Sequence, residues 1–350
     1  MIVQEPNKTI NIMSRQEYAK ELRPLLPKEA FKRSPSRIGW FYLHMLIILS
    51  CVIGVLTVHN LILCIIFSLL IGQSMGILSF LGHEIIHGTV VKGKKKIFIY
   101  GTLCMFHWGM PANVWIAWHN RKHHQHTQKW MEDPDCFGPV ILFKKSKTMQ
   151  RYQKLTPGSG YFRSYFFLFY WFSFHTMLMI FKTPGLFKSK KEHLYTKLFY
   201  FTVMIGWPLI LLIFNPLYLV TLWLIPLAIS NFFMMGYIAT NHFLNPSTNK
   251  INDPLINSLT VRSFKWLEAF HLHNNFHVEH HLFPELNPKY APLVQKLLLE
   301  RWPEKYQQMS HIKALKLVYT TPRFYKTETK LMDPRTGNLA DTLLAEYLDL

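Results

Sequence analysis

The sequence predicts an all-α integral membrane protein: four transmembrane helices in two hairpins, plus cytoplasmic or interfacial helices that carry a histidine-rich metal site. Three observations predict it. Every Lys, Arg, Asp and Glu of the 350 residues falls in 1–37, 84–197 or 250–350, which leaves two uncharged stretches, 38–83 and 198–249. Each stretch is about twice the roughly 20 residues that a helix needs to cross a bilayer. Each also has a turn signal near its middle, His59-Asn60 in one and Asn215-Pro216 in the other. Finally, 13 of the 18 histidines lie in 83–126 or 242–281.

The turn signals divide the two stretches into spans at about 38–58, 61–82, 198–214 and 217–240. The short turns at 59–60 and 215–216 carry no Lys or Arg. By the positive-inside rule every charged segment, and with it every histidine cluster, then lies on the cytoplasmic side. Two other apolar stretches compete as spans. Residues 97–118 are interrupted by His107, Pro111 and Asn113, and 161–181 contains Arg163 as its one charge. Parity argues against both, because a single extra crossing would put histidine clusters on opposite sides. Both are expected at the interface as amphipathic or re-entrant helices. The chain thus divides into a basic cytoplasmic N-terminal segment (1–37), a membrane body (38–305) and a cytoplasmic tail (306–350). The polar part of that tail is expected to pack loosely.

Net charge is +19, and 15% of residues are aromatic. A basic chain can bind nucleic acid, but here the basic residues flank apolar stretches. Lys92, Lys94, Lys95 and Lys96 follow the second span, and Lys182, Lys188, Lys190, Lys191 and Lys197 precede the third. Anionic lipid headgroups are the simpler partner, and no nucleic acid is expected. The four cysteines form no CxxC pair and predict no disulfide. The first apolar run starts only at Ile38, so no cleavable signal is expected.

The chemistry resides in three clusters: HEIIHG at 83–88, HNRKHH at 119–124 and HNNFHVEHH at 273–281. Neutral imidazole is a common ligand for iron, zinc and copper. The ligand candidates are His83 and His87, then His119, His123 and His124, then His277, His280 and His281. Eight imidazoles are too many for one tetrahedral zinc and suit two metal ions. His83 and His87 are spaced i, i+4 and project from one helix face, as do His119 and His123. His124 points about 100° away from His123, so one short helix can address two metals. Asp133 and Asp135 in EDPD either orient imidazoles from behind or form an ordinary turn around Pro134. His242, at the end of the fourth span, is a further candidate ligand. His273 and His126 are weaker ones. His44, His59, His107, His175, His193 and His311 are isolated and read as packing or surface residues.

The order and spacing of the boxes, HxxxH at 83–87, HxxxHH at 119–124 and HxxHH at 277–281, resemble the membrane fatty acid desaturase superfamily. HHQHT at 123–127, EDPD at 132–135 and HVEHHLFP at 277–284 add to the likeness, and the last is similar to acyl-lipid rather than acyl-CoA desaturases. The resemblance covers about 35–305. It implies a di-iron, O2-dependent enzyme in which the eight box histidines hold two iron ions, with His242 loosely fitting the further ligand often found after the fourth span. It also implies a membrane-lipid acyl chain as substrate, from which adjacent methylenes lose hydrogen to leave a C=C bond. Gln128 stands where family members often have Asn. No HPGG heme motif is present, so electrons are expected from a separate ferredoxin or cytochrome b5-type donor.

Three alternatives stand beside this reading. A lipid, alkane, sterol or carotenoid hydroxylase of the same superfamily would share the boxes. A membrane zinc hydrolase would use Glu84 in HEIIH, which matches HExxH. A metal transporter would place its ligands near the middle of the spans.

Overall fold

The computed structural model describes residues 10–348, so the first nine residues of the basic segment and the last two of the tail lie outside it. The chain is helical along most of its length. Among the described residues, five helices are long and apolar enough to cross a membrane: Pro35–Thr57, Leu61–Ile86, Phe162–Lys182, Lys190–Phe214 and Pro216–His242. Four of them contain the expected spans. The fifth, Phe162–Lys182, is the stretch that the sequence placed at the interface. It is a continuous apolar helix of 21 residues, so length and composition alone qualify it as a span. The competing stretch 97–118 is not among the five. Its helix Lys94–Met105 breaks into a 3-10 turn at Phe106–Trp108, where Gly109 takes a left-handed φ of 62° ahead of Pro111.

The chain folds as two compact units. One comprises 33–120 and 168–236 and holds the long apolar helices. Asn60 caps the Leu61–Ile86 helix by accepting a hydrogen bond from the Leu63 N–H at 3.1 Å. Asn215 does the same for the Leu217 N–H at 2.9 Å, with Pro216 at the first helical position. Both predicted turns are therefore sharp caps between consecutive helices. Cys51, Val55, Cys64, Ile71 and Met75 pack with Leu211, Leu222 and Trp223 in one core. Leu46, Leu49, Ile53, Ile62, Ile66, Ile213 and Phe214 instead point outward and are exposed. An apolar exterior over an apolar core is what lipid, rather than water, permits. Lone histidines in this unit have packing partners, as expected: His107 Nε2 lies 2.9 Å from Ser230 Oγ and His44 Nδ1 lies 3.1 Å from Ser74 Oγ.

The second unit comprises 1–32, 121–167 and 237–350. Its N-terminal helix Arg15–Leu22 starts with a capping box, in which Glu17 accepts the Ser14 N–H at 2.6 Å. Tyr18, Leu22, Leu26 and Ala30 are buried against Leu282, Phe283, Leu286, Val294 and Leu298. Within this core Tyr18 donates to Asp253 at 3.0 Å, and Lys305 donates to Tyr18 at 3.0 Å. Burial pushes the Asp253 carboxyl up to about 6 against these contacts. The tail differs from expectation. After the helix His311–Thr320 it forms a three-stranded antiparallel sheet from Phe324–Tyr325, Lys330–Met332 and Leu339–Asp341. Phe324, Tyr325 and Leu331 are buried: Tyr325 and Leu331, paired across the first two strands, share one sheet face, and the adjacent Phe324 points to the other.

Close helix packing generates a test. A Cβ on Gly72 would sit 2.7 Å from the Pro226 carbonyl oxygen and 2.7 Å from Ile229 Cβ. Backbone cannot yield as a side-chain tip can, so Gly72→Ala is expected to lose about 1–3 kcal/mol, read as a lower thermal midpoint in detergent. Gly39→Ala, whose Cβ meets nothing within 4 Å, is the control and is expected to leave the midpoint in place.

Candidate metal centre

The third histidine box forms the short helix His277–Leu282, closed by Phe283-Pro284. His277 and His281 share a face, with Nε2 atoms 3.0 Å apart. The second box does not form the α-helix that its spacing suggested. Ile116–His123 is a π-helix, followed by a single turn His124–His126. A π turn inserts an extra residue and is frequent at functional sites. His123 and His124 nevertheless diverge as expected. His123 Nε2 lies 3.3 Å from His281 Nε2, whereas His124 Nε2 lies 3.1 Å from His280 Nε2. The two adjacent pairs thus meet crosswise.

His242, the last residue of the Pro216–His242 helix, completes the first of these groups with its Nε2 2.6 Å from His277 Nε2. His123, His242, His277 and His281 are all buried, and their ligand atoms lie within 4.8 Å of one another. In the other unit His83, His87 and His119 form a similar group within the same limit, with His83 and His119 Nε2 atoms 2.8 Å apart. His126 instead pairs with Glu132 at 2.8 Å, and His273 belongs to neither group.

What lies behind the four imidazoles decides what they hold. His123 Nδ1 donates to Asp133 at 3.0 Å and faces Asp135 at 3.3 Å. His242 Nδ1 meets the Asn257 carbonyl at 3.3 Å, and a carbonyl can only accept. His281 Nδ1 meets the Thr127 hydroxyl at 3.3 Å. That hydroxyl already donates to the His123 carbonyl at 2.8 Å, so it too accepts from the ring. The hydrogen-bond network therefore places the proton of three rings on Nδ1. Their Nε2 lone pairs point inward at one another.

Converging lone pairs repel unless a cation sits among them. Two nitrogens each about 2.1 Å from one metal ion lie about 3.0–3.4 Å apart, close to the observed spacing. Burial and the neighbouring rings hold His281 well below the usual imidazole range, so it remains a neutral donor. For His123 burial also disfavours charge, but Asp133 and Asp135 outweigh it and raise the pKa. Asp133 is itself pushed up by burial, yet His123 and the N–H groups of Asp135 and Gln128 outweigh this and hold it below its ordinary value. The EDPD segment is thus the carboxylate support for His123, one of the two readings its sequence allowed. The donor set of all-imidazole character fits a redox metal or zinc.

Of the nine histidines that the sequence singles out, His123, His242, His277 and His281 form one group, His83, His87 and His119 lie together in the other unit, and His124 pairs with His280. Sequence reasoning gave no role to Thr127 or Asn257, which meet ring nitrogens through a hydroxyl and a backbone carbonyl, or to Gln128 and Tyr325, which hold the backbone carbonyls of 242 and 245. Such contacts leave no spacing signature. Glu84 corrects the zinc hydrolase reading of HEIIH: its carboxylate is held by the Arg37 guanidinium through two hydrogen bonds of 2.6 and 2.5 Å. A carboxylate fixed on arginine is not positioned to act as a general base.

Comparison with known proteins agrees with this chemistry. The profile of the family described as "Fatty acid desaturase" matches residues 59–313. The chloroplastic omega-6 fatty acid desaturase of Glycine max is 24% identical over 259 residues, covering 72% of this chain and 60% of that protein. The Arabidopsis thaliana protein of the same name is also 24% identical, over 71% of this chain and 56% of its own length. A fatty acid desaturase 2-like protein of Mus musculus is 25% identical over 84% of this chain and 63% of its own. The matched part of the chain thus spans about 60% of the length of these relatives.

Asp133→Ala removes the acceptor behind His123 while leaving every histidine in place. Metal affinity is expected to fall about 10–100-fold, the usual cost of losing such a support. Metal per chain after dialysis against a graded chelator reads it. Unchanged retention would remove Asp133 from the site.

Proposed function

The chain belongs to the fatty acid desaturase family, and from that premise we propose that it is an O2-dependent fatty acyl desaturase that introduces a C=C bond into a membrane-lipid acyl chain. The observation that carries this reading is the buried group His123, His242, His277 and His281, whose ligand atoms lie within 4.8 Å of one another and in which three Nε2 lone pairs converge. These four are assigned to one iron. His83, His87, His119, His124 and His280 are the remaining ligands of a two-iron set. Bound iron supplies the redox chemistry needed at an unactivated methylene, which offers neither acid nor electrophile. The overall change converts two adjacent CH2 groups, O2, two electrons and two protons into CH=CH and two waters.

The chain's own residues orient the ligands and exclude water. Asp133, Thr127 and the Asn257 carbonyl fix the rings, and burial of the four histidines keeps solvent from the group. Names of the relatives favour C=C formation over hydroxylation. In the assigned topology the two helical hairpins cross the membrane, the Phe162–Lys182 helix lies at the interface, and the histidines face the cytoplasm. Electrons come from a separate ferredoxin or cytochrome b5-type donor. Its acidic surface docks on the exposed Lys144, Lys145 and Lys147.

The acyl profile of cells expressing the chain, compared with cells expressing His280→Ala, tests the reaction. A new unsaturated acyl chain is expected only with the wild type, and gas chromatography–mass spectrometry gives the bond position. An unsaturated product from both, or an oxygenated one from the wild type alone, would refute it. Metal analysis of the purified chain is expected to give about two irons rather than one zinc. For the donor, Lys144→Glu, Lys145→Glu and Lys147→Glu together are expected to slow reduction about tenfold at low salt, and the difference is expected to shrink as ionic strength rises. Equal rates at low salt would place the donor elsewhere.

A further inference from the structure

The turn that presents His242 is held from outside the family region. After His242 the chain runs Phe243, Leu244, Asn245, with its carbonyls buried. Three side chains grip those carbonyls. Arg323 Nη1 donates to the Phe243 oxygen at 2.7 Å. Tyr325 Oη donates to the Asn245 oxygen at 2.7 Å. Gln128 Nε2 donates to the His242 oxygen at 2.5 Å and reaches Tyr325 Oη at 3.2 Å. All three residues are buried. Tyr325 lies in the tail sheet and Arg323 immediately before its first strand, both past residue 313 where the family match ends.

Gln128 also faces the other way. Its backbone N–H donates to Asp133 Oδ2 at 2.8 Å, while Asp133 Oδ1 accepts from His123. It holds both contacts at a left-handed φ of 59°, which side chains other than glycine rarely adopt. Such a conformation persists only where its surroundings over-determine it. One residue thus connects the support of His123 to the carbonyl of His242, and the tail closes the connection from behind.

We propose that Gln128 and Tyr325, with Arg323, are positioning residues for the four-histidine group, so that the C-terminal sheet is a working part of the metal centre. The inference rests on the metal-binding reading given above. The chemistry is second-layer hydrogen bonding: N–H and O–H donors fix the backbone of one ligand while the same residue fixes the carboxylate behind another. Gln128, the departure from the commoner Asn, is long enough to reach the 242–245 turn, and its two amide hydrogens serve the His242 and Asn245 carbonyls.

The test uses the whole chain, purified in detergent and loaded with ferrous iron. Tyr325→Phe removes one hydroxyl, and Gln128→Leu removes the amide. Lys330→Ala, an exposed residue of the same sheet that pairs with Asp341, is the control. Release of iron to excess chelator is followed, alongside the thermal midpoint of the metal-free chains. Tyr325→Phe and Gln128→Leu are expected to lose one of two irons about tenfold faster, with Lys330→Ala like the wild type and with the metal-free midpoint of Tyr325→Phe unchanged. A purely structural tail would lower that midpoint and release both irons alike, which overturns the proposal. Wild-type release rates in Tyr325→Phe also overturn it, and that variant decides if Gln128→Leu does not fold. A wild-type chain that retains no iron would bring down the metal reading itself, and this inference with it.

Discussion

The inward-facing Nε2 lone pairs of three buried imidazoles, His123, His242 and His281, beside His277, are the constraint from which the rest of the centre follows. Once Asp133, Thr127 and the Asn257 carbonyl have taken the Nδ1 protons, the opposite nitrogens have nothing left to donate. Packing them within 4.8 Å is unfavourable for the protein alone. A cation reverses the sign. The segments involved are remote in sequence: 123 from the second box, 242 from the end of a long helix, 277 and 281 from the third. A ligand that favours only their assembled form contributes its binding free energy to folding. The cost of assembling the site and its affinity for metal are therefore one quantity seen from two sides.

The boxes were legible because helix periodicity is local. The i, i+4 spacing of His277 and His281 predicts a shared face without any knowledge of the fold, and the side-by-side His123-His124 pair predicts divergence even though the local helix proved to be π rather than α. The uncharged stretches were legible for a similar reason, since a bilayer reads composition along the chain. His242 was visible only as a suspect. What completes it as a member of the group is the tertiary approach of His277, which no spacing records. Gln128 and Tyr325 were invisible as functional residues. Both act through carbonyl oxygens, and every residue has one.

Two segments show what average composition leaves open. The 161–181 stretch was set aside because a parity argument made it awkward, not because its composition was wrong for a span. The structure makes it one of five helices that qualify by length and apolarity. The tail was expected to be loose because its average composition is polar. Averages conceal placement: Phe324, Tyr325 and Leu331 are buried although the tail around them is polar. For the tail, a property of the whole segment was used where the position of a few residues decides.

Glu84 shows how the same motif separates two chemistries. In HExxH the glutamate matters only if its carboxylate faces the water on the metal. Here the side chain leaves His83 and His87 for Arg37, and both carboxylate oxygens are engaged by the guanidinium fork. The pair is buried, so breaking it would strand a charge, which costs more than the pair contributes net. The glutamate therefore ties the Leu61–Ile86 helix to the start of the Pro35–Thr57 helix and stays out of proton transfer. Hydrolysis needs a base at the metal, whereas hydrogen removal from a methylene does not. An arrangement that commits the glutamate of HExxH to structure suits the second chemistry and not the first.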